Sequence, residues 1–128
     1  MKRSILKNYY VFLCLVFLLL SCKGVASLPK EPVLTGKTDL LSLARDESVL
    51  FQYALSLNMW LIHAKHYVET YYKQDGFPVF ETLDPAFQGD AGEEGIKMRI
   101  AYYQRYIAKV KPIAIAIYRK YTQVSLKE

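Results

Sequence analysis

The sequence predicts an all-α fold, a small bundle of helical hairpins behind a cleaved signal segment and a flexible tether. Two long stretches repeat apolar residues at intervals of three and four positions, the period of a helix with one buried face. Residues 113–117 alternate as a strand would, but the sequence offers no second strand to pair with them. The chain is long enough for one domain with a single core. We therefore expect a signal at 1–21, a tether at 22–37 and one helical domain at 38–128.

The first 21 residues have the composition of a secretion signal. Three basic residues precede an apolar run at 10–20 that is too short for a stable membrane span, although an uncleaved membrane helix is the alternative. The run ends in Leu20, Ser21 and Cys22, which resembles the lipobox of bacterial type II lipoprotein signals and is similar to the permissive lipoboxes of spirochaetes. This resemblance implies that cleavage makes Cys22 the amino terminus, with a diacylglycerol and a fatty acid attached to it.

A lipid on Cys22 would anchor the protein to a membrane without a transmembrane helix. Lys23, rather than the aspartate that retains enteric lipoproteins in the inner membrane, follows the cysteine. We therefore expect residence in the outer membrane. Of the two sides of that membrane, we expect the periplasmic face rather than the cell surface. Loss of the signal removes Cys14 and three of the 17 basic residues, which lowers the formal net charge from +5 to +2 and leaves no internal disulfide. Neither nucleic acid nor a cofactor other than the covalent lipid is expected as a ligand.

The tether contains Pro29 and Pro32 with little apolar periodicity, so we expect it to be mobile. Asp39 is a suitable N-cap for the helix that follows. Residues 46–74 contain neither glycine nor proline and form either one helix or two helices with a break near Asn58. The apolar positions on the predicted buried face are Leu50, Ala54, Leu57, Leu61, Ala64, Val68 and Tyr72.

This helix should end before Gly76 and Pro78, and a loop with several phenylalanines follows. Phe77, Phe80 and Phe87 make the loop too apolar for a solvated linker, so we expect these rings to fold back on the helices. The alternative is an exposed surface on which the three rings bind a peptide of a protein partner.

The carboxyl-terminal segment predicts two short antiparallel helices. Ile100 and Tyr103 belong to an apolar repeat that extends to Val110, and Pro112 fits the first turn of a second helix. The segment 95–125 resembles a degenerate tetratricopeptide (TPR) unit, with small and aromatic residues at the packing positions. A lipid-anchored protein with TPR-like helices resembles BamD, the lipoprotein subunit of the outer-membrane β-barrel assembly machine. This resemblance implies a scaffold without catalytic activity.

Basic residues lie outside the apolar repeat of the same segment. We expect Arg99, Arg105, Lys109 and Arg119 to face either an acidic protein partner or the acidic segment 81–94. These residues are therefore candidates for a protein-binding surface.

His63, His66 and Glu69 follow one another at intervals of three and could ligate a divalent metal ion, although a solvated polar stripe is the alternative.

The sequence pairs no nucleophile with a base, so we do not expect an enzyme. The leading hypothesis is an outer-membrane lipoprotein that binds a protein partner as an accessory subunit of an envelope assembly machine. The alternatives are a surface lipoprotein that binds a host or environmental ligand, and a small metal-binding protein.

Overall fold

The structure is a computed structural model that describes residues 2–21, 24–84, 87 and 89–124. Within these ranges there is no strand, so the prediction of an all-α fold is confirmed. Three helices follow one another along the chain, α1 at Lys2–Ser21, α2 at Leu40–Tyr71 and α3 at Glu93–Val124.

Helix α1 stands apart from the rest of the fold. In the described part of the chain only α2 and α3 pack against each other, and the α1 side chains from Ser4 to Leu15 are exposed. None of the described helices is long and apolar enough to cross a membrane. The predicted lipidation site, Cys22, lies outside the described residues, as does the peptide bond that cleavage would break.

Helix α2 begins where the sequence predicts. The Asp39 carboxylate accepts a hydrogen bond from the Ser42 amide at 3.1 Å and caps the first turn. The helix continues without a break through Asn58, so the single-helix alternative is the correct one. The predicted apolar face is buried along the whole helix, and Tyr72, just after its end, is half-buried.

Helix α3 is continuous, and this corrects the prediction of a TPR-like hairpin at 95–125. The helix runs through Pro112, where the turn between two short helices was expected. A proline inside a helix removes a backbone hydrogen bond and costs about 3 kcal/mol. Pro112 is on the exposed side, so water can bind the carbonyl group that loses its partner. The apolar face that includes Val110 and Ala114 stays packed on both sides of the proline, which keeps the helix intact.

The two long helices lie side by side and point in the same direction, so they do not form an antiparallel hairpin. Near their first turns Arg99 pairs with Glu47, and at their carboxyl ends the rings of Tyr72 and Tyr121 lie 4.9 Å apart between centroids. A parallel pair needs a connection as long as the helix, which for 32 residues is about 48 Å. Residues 72–92, which we name the return loop, can span this distance because an extended chain covers about 3.3 Å per residue.

A second extended segment, residues 24–38, runs back along the other face of the helix pair, and we name it the strap. The return loop contacts α2 at Asn58, whereas the strap contacts it at Trp60. Positions two residues apart differ by about 200° around a helix, so the loop and the strap cover opposite faces. The core therefore has four walls.

The strap corrects the prediction of a mobile tether for residues 24–37; the first two residues of the predicted tether, 22 and 23, lie outside the described residues. Val25 and Leu28 pack against the core, and the Trp60 indole Nε1–H donates a hydrogen bond to the Ala26 carbonyl oxygen at 2.9 Å. The strap packs because its apolar side chains have a long groove between α2 and α3 to fill. The buried apolar residues of the core are Leu50, Tyr53, Ala54, Leu57, Trp60, Leu61, Ala64, Val68, Leu83, Tyr103, Tyr106, Val110, Ala114, Ile117 and Tyr121.

Candidate functional site

A cleft of about 310 Å³ opens between the strap and the two long helices, and we name it the strap cleft. Its walls are mostly apolar, with Leu34 from the strap, Leu50 from α2 and Ile107 from α3. All three elements are needed to form it, because each contributes only one wall. The complete lining is Glu31, Pro32, Leu34, Leu50, Tyr53, Gln104, Ile107, Ala108 and Lys111.

Polar groups of the lining include an ion pair that joins the strap to α3. Lys111 Nζ lies 2.9 Å from Glu31 Oε1, and the hydrogen bond between them raises the pKa of Lys111. Burial raises the pKa of the Tyr53 hydroxyl, which therefore stays neutral. A smaller cavity of about 120 Å³ continues the cleft along the strap and shares Glu31, Tyr53 and Lys111 with it.

The far end of the strap is fixed by Asp46, a buried carboxylate of α2. Its two oxygens accept hydrogen bonds from the Thr35 amide at 2.8 Å and from the Thr35 hydroxyl at 2.9 Å. The Thr35 amide is the main cause that holds the pKa of Asp46 below its ordinary value, and the Thr35 hydroxyl adds to it. Asp46 therefore stays ionised. Its bonds to Thr35 keep Leu34, the residue directly before Thr35 in the strap, in place beside the cleft.

The predicted basic surface is divided between internal ion pairs and exposed side chains. Arg99 pairs with Glu47 and donates a hydrogen bond to the Asp90 carbonyl oxygen at 3.1 Å. Lys109 Nζ lies 3.0 Å from Glu81 Oε2 in the return loop. These contacts agree with the expectation that the basic residues face the acidic segment 81–94. Arg105 and Arg119 are exposed.

The three phenylalanines of the return loop fold back on the helices, as the sequence analysis expects. Phe77 and Phe80 pack against the core with their ring centroids 5.9 Å apart, and Phe87 stacks on Tyr102 at 4.3 Å. All three rings are half-buried within the chain itself, so they do not form a fully exposed surface, and peptide binding by these rings stays a prediction.

The three predicted metal ligands are not brought together. His63, His66 and Glu69 are all exposed on α2, and Glu69 lies 3.9 Å from Lys65 in an ion pair. In the part of the chain that the structure describes, no group of three or more histidine, cysteine, aspartate or glutamate side chains could hold a metal ion. The three residues form the solvated polar stripe that the sequence analysis gives as the alternative.

Sequence reasoning missed the strap cleft. The signal was present in the segment predicted as a tether, where the apolar residues Val25, Leu28 and Leu34 accompany the prolines. A fully solvated linker seldom carries so many apolar side chains. Their partners on α2 and α3 are distant in the sequence and were not visible there.

These features define a class of protein, a small domain of two parallel helices clasped by extended segments, behind a segment that the sequence predicts to be a bacterial lipoprotein signal. The chain belongs to the Borrelia orf-D family, whose family model matches residues 27–123. The match begins within the strap, so the strap is part of the family's domain. Across 120 residues the chain is 32% identical to a protein of Borreliella burgdorferi named "Outer membrane lipoprotein BBA14", with 92% of this chain and 96% of that protein covered.

These similarities support the prediction of a bacterial lipoprotein of the outer membrane. They do not support the resemblance to BamD, and the continuous helix α3 removes the hairpin on which that resemblance depended.

Proposed function

We propose that the protein is a lipid-anchored, non-catalytic binding protein of the outer membrane, and that it holds an apolar segment of a protein partner in the strap cleft. The observation that carries the proposal is the cleft itself, with its apolar walls from three separate elements. Its volume of about 310 Å³ is at the lower end of the range for ligand sites, 300–1,000 Å³. The side chains of a short peptide segment suit such a site.

The polar groups of the cleft favour binding over catalysis. Glu31 and Lys111 neutralise each other, and Tyr53 stays protonated. The lining contains no histidine, cysteine or serine that could act as a base or nucleophile near neutral pH. A partner could instead bind to these groups through hydrogen bonds at the rim, which give orientation and specificity.

Two neighbouring strap residues provide a matched test. Leu34 lines the cleft, whereas Val33 is 91% exposed and lies outside the lining. Leu34→Glu should place a charge against the apolar walls and abolish partner capture, and Val33→Glu should leave capture intact. Affinity purification from gently solubilised outer membrane, with quantitative mass spectrometry, measures the recovery of partners. Equal recovery with both variants would exclude the strap cleft as the binding site.

The identity of the recovered partner decides between narrower roles. Stoichiometric recovery of a β-barrel protein would favour an accessory subunit of an envelope assembly machine. A surface lipoprotein that binds a host or environmental ligand is the alternative role. Protease added to intact cells separates the two, since a chain on the periplasmic face is protected and a chain at the surface is cleaved.

Lipidation of Cys22 is part of this proposal and has its own test. Cys22→Ala should abolish labelling by a fatty acid and release the mature protein from the membrane, because α2 and α3 are not apolar enough to span it. Cys14→Ala is the matched control, since this residue would leave with the signal. Unchanged labelling of the Cys22 variant would contradict the lipobox.

A further inference from the structure

One face of α2 carries a stripe of large apolar residues that the described chain covers only in part, since of the large members Phe51 contacts the Tyr103 ring of α3. The stripe positions follow one another at intervals of three and four from 41 to 62, which keeps them on one side of the helix. Its length is about 31 Å at 1.5 Å per residue. The large members are between 36% and 82% exposed, and they are Leu41, Phe51, Leu55, Met59 and Ile62.

The stripe faces away from the strap. Tyr53 and Trp60 lie on the strap side of α2. Leu55 is two positions after Tyr53, and Ile62 is two positions after Trp60. Two positions correspond to about 200° around the helix, so Leu55 and Ile62 lie on the side of α2 opposite the strap, whereas Met59, one position before Trp60, lies about 100° from it. The strap begins at Gly24, which lines a cavity together with Trp60.

This geometry disfavours the protein's own membrane as the cover of the stripe. A lipid on Cys22, as proposed above, would be attached within about 7 Å of Gly24, because only two residues separate them. Gly24 lies beside Trp60, so a membrane that holds such a lipid would meet the strap side first. A protein surface is therefore the favoured cover of the stripe.

We infer that the stripe binds a second copy of this chain, with the two α2 helices antiparallel about a two-fold axis. The stripe positions carry no charge from Leu41 to Ile62, so they give no electrostatic basis for selecting a partner of opposite charge. An uncharged apolar row is complementary to itself when a two-fold axis passes through its middle, as in isologous dimers.

The exposed area fits a modest interface. The exposed fractions of the five large residues amount to roughly two and a half complete side chains, or about 400–600 Å² at 150–250 Å² for each. Two protomers would then bury about 1,000 Å² with flanking atoms included, near the lower limit of specific interfaces. Such a dimer is weak in dilute solution and is favoured when lipid anchors concentrate the protein on a membrane.

Two differently tagged full-length copies, expressed together, test the dimer. After solubilisation with an excess of detergent micelles, capture of one tag should recover the other. Leu55→Glu in both copies should lower this recovery at least about ten-fold, because it places carboxylates in an apolar interface. Val79→Glu is the control, since Val79 is 96% exposed and lies in the return loop away from the stripe.

A second stripe variant, Met59→Lys, repeats the test at another position. Far-UV circular dichroism of each purified chain shows whether a variant that loses co-capture is still folded. Both stripe variants should keep the helical content of the unchanged protein while they lose co-capture. The absence of co-capture between unchanged copies would overturn the inference, and so would co-capture that survives both stripe variants. Leu34→Glu should leave the dimer intact, so failure of the strap-cleft proposal is distinguishable from failure of this one.

Discussion

Asn58 provides a quantitative test of how the return loop is held on the helix pair. Its side-chain oxygen accepts two hydrogen bonds, from the Leu83 amide at 3.2 Å and from the Tyr106 hydroxyl at 3.0 Å. All three residues are buried. Burial raises the pKa of Tyr106 to about 12, so its hydroxyl stays protonated and can donate at neutral pH.

Replacement of Asn58 by leucine keeps a similar volume and removes the acceptor that both donors share. A buried donor without a partner costs about 1–3 kcal/mol, so the loss of the acceptor for both donors in Asn58→Leu should lower the free energy of unfolding by about 2–6 kcal/mol. Tyr106→Phe should lower it by only about 1 kcal/mol, because Asn58 keeps the Leu83 amide as a donor. The double variant lacks the hydroxyl that Asn58→Leu leaves unpaired, and we expect it to be more stable than Asn58→Leu alone.

Urea unfolding of a chain that begins at Gly24 measures these free energies. The shorter chain is suitable because α1, in the part of the chain that the structure describes, packs against neither long helix. Far-UV circular dichroism follows the helices, and the single tryptophan, Trp60, reports on the strap. Amide hydrogen exchange at Leu83 should accelerate in the Asn58 variant, which locates the change in the return loop. If the losses of unfolding free energy in the two single variants simply add in the double variant, a shared acceptor at Asn58 is refuted.

Three further predictions concern the strap, α3 and the basic residues. The strap contact of Asp46 stabilises the fold above the unfolded pKa of that group and is lost as pH falls through its lowered folded pKa. Asp46→Asn should therefore lower the melting temperature at pH 7, and the difference should shrink below about pH 4. Pro112→Ala should raise the free energy of unfolding by about 1–2 kcal/mol in urea titrations, because it restores a helical hydrogen bond; a loss of stability would contradict this. Reversal of Arg105 and Lys109 to glutamate should leave the circular dichroism spectrum unchanged and weaken capture of an acidic partner in a salt-dependent way; unaltered capture would mean that these charges are only solvated.

The helices could be predicted from the sequence because their buried faces repeat with the helical period. The face from Leu50 to Val68 is buried as predicted, and Asp39 caps the helix that contains it. The same pattern does not state in which direction a neighbouring helix runs, so the parallel arrangement was missed. Pro112 has a local preference for the start of a helix, but the helix continues through it because one continuous apolar face packs against α2 on both sides of the proline.

The strap cleft could not be predicted because its contacts join residues that are far apart in the sequence. Trp60 and Ala26 are 34 positions apart, and Thr35 and Asp46 are 11 apart. Prolines in the strap indicate an absence of helix, and an extended chain can be solvated or packed with the same composition. Only the groove between two parallel helices makes packing the favourable choice.

The strap would also limit how far the domain can move from a membrane if Cys22 carries the proposed lipid. If it were mobile, the residues from Gly24 to Thr35 would let the domain move as far as roughly 40 Å from a lipid on Cys22. Because the strap is docked through Trp60 and Asp46, a lipid on Cys22, as proposed above, would hold the domain close to the membrane. Loss of these two contacts would free the domain to rotate, and the stripe on α2 would no longer be kept on the side away from the lipid.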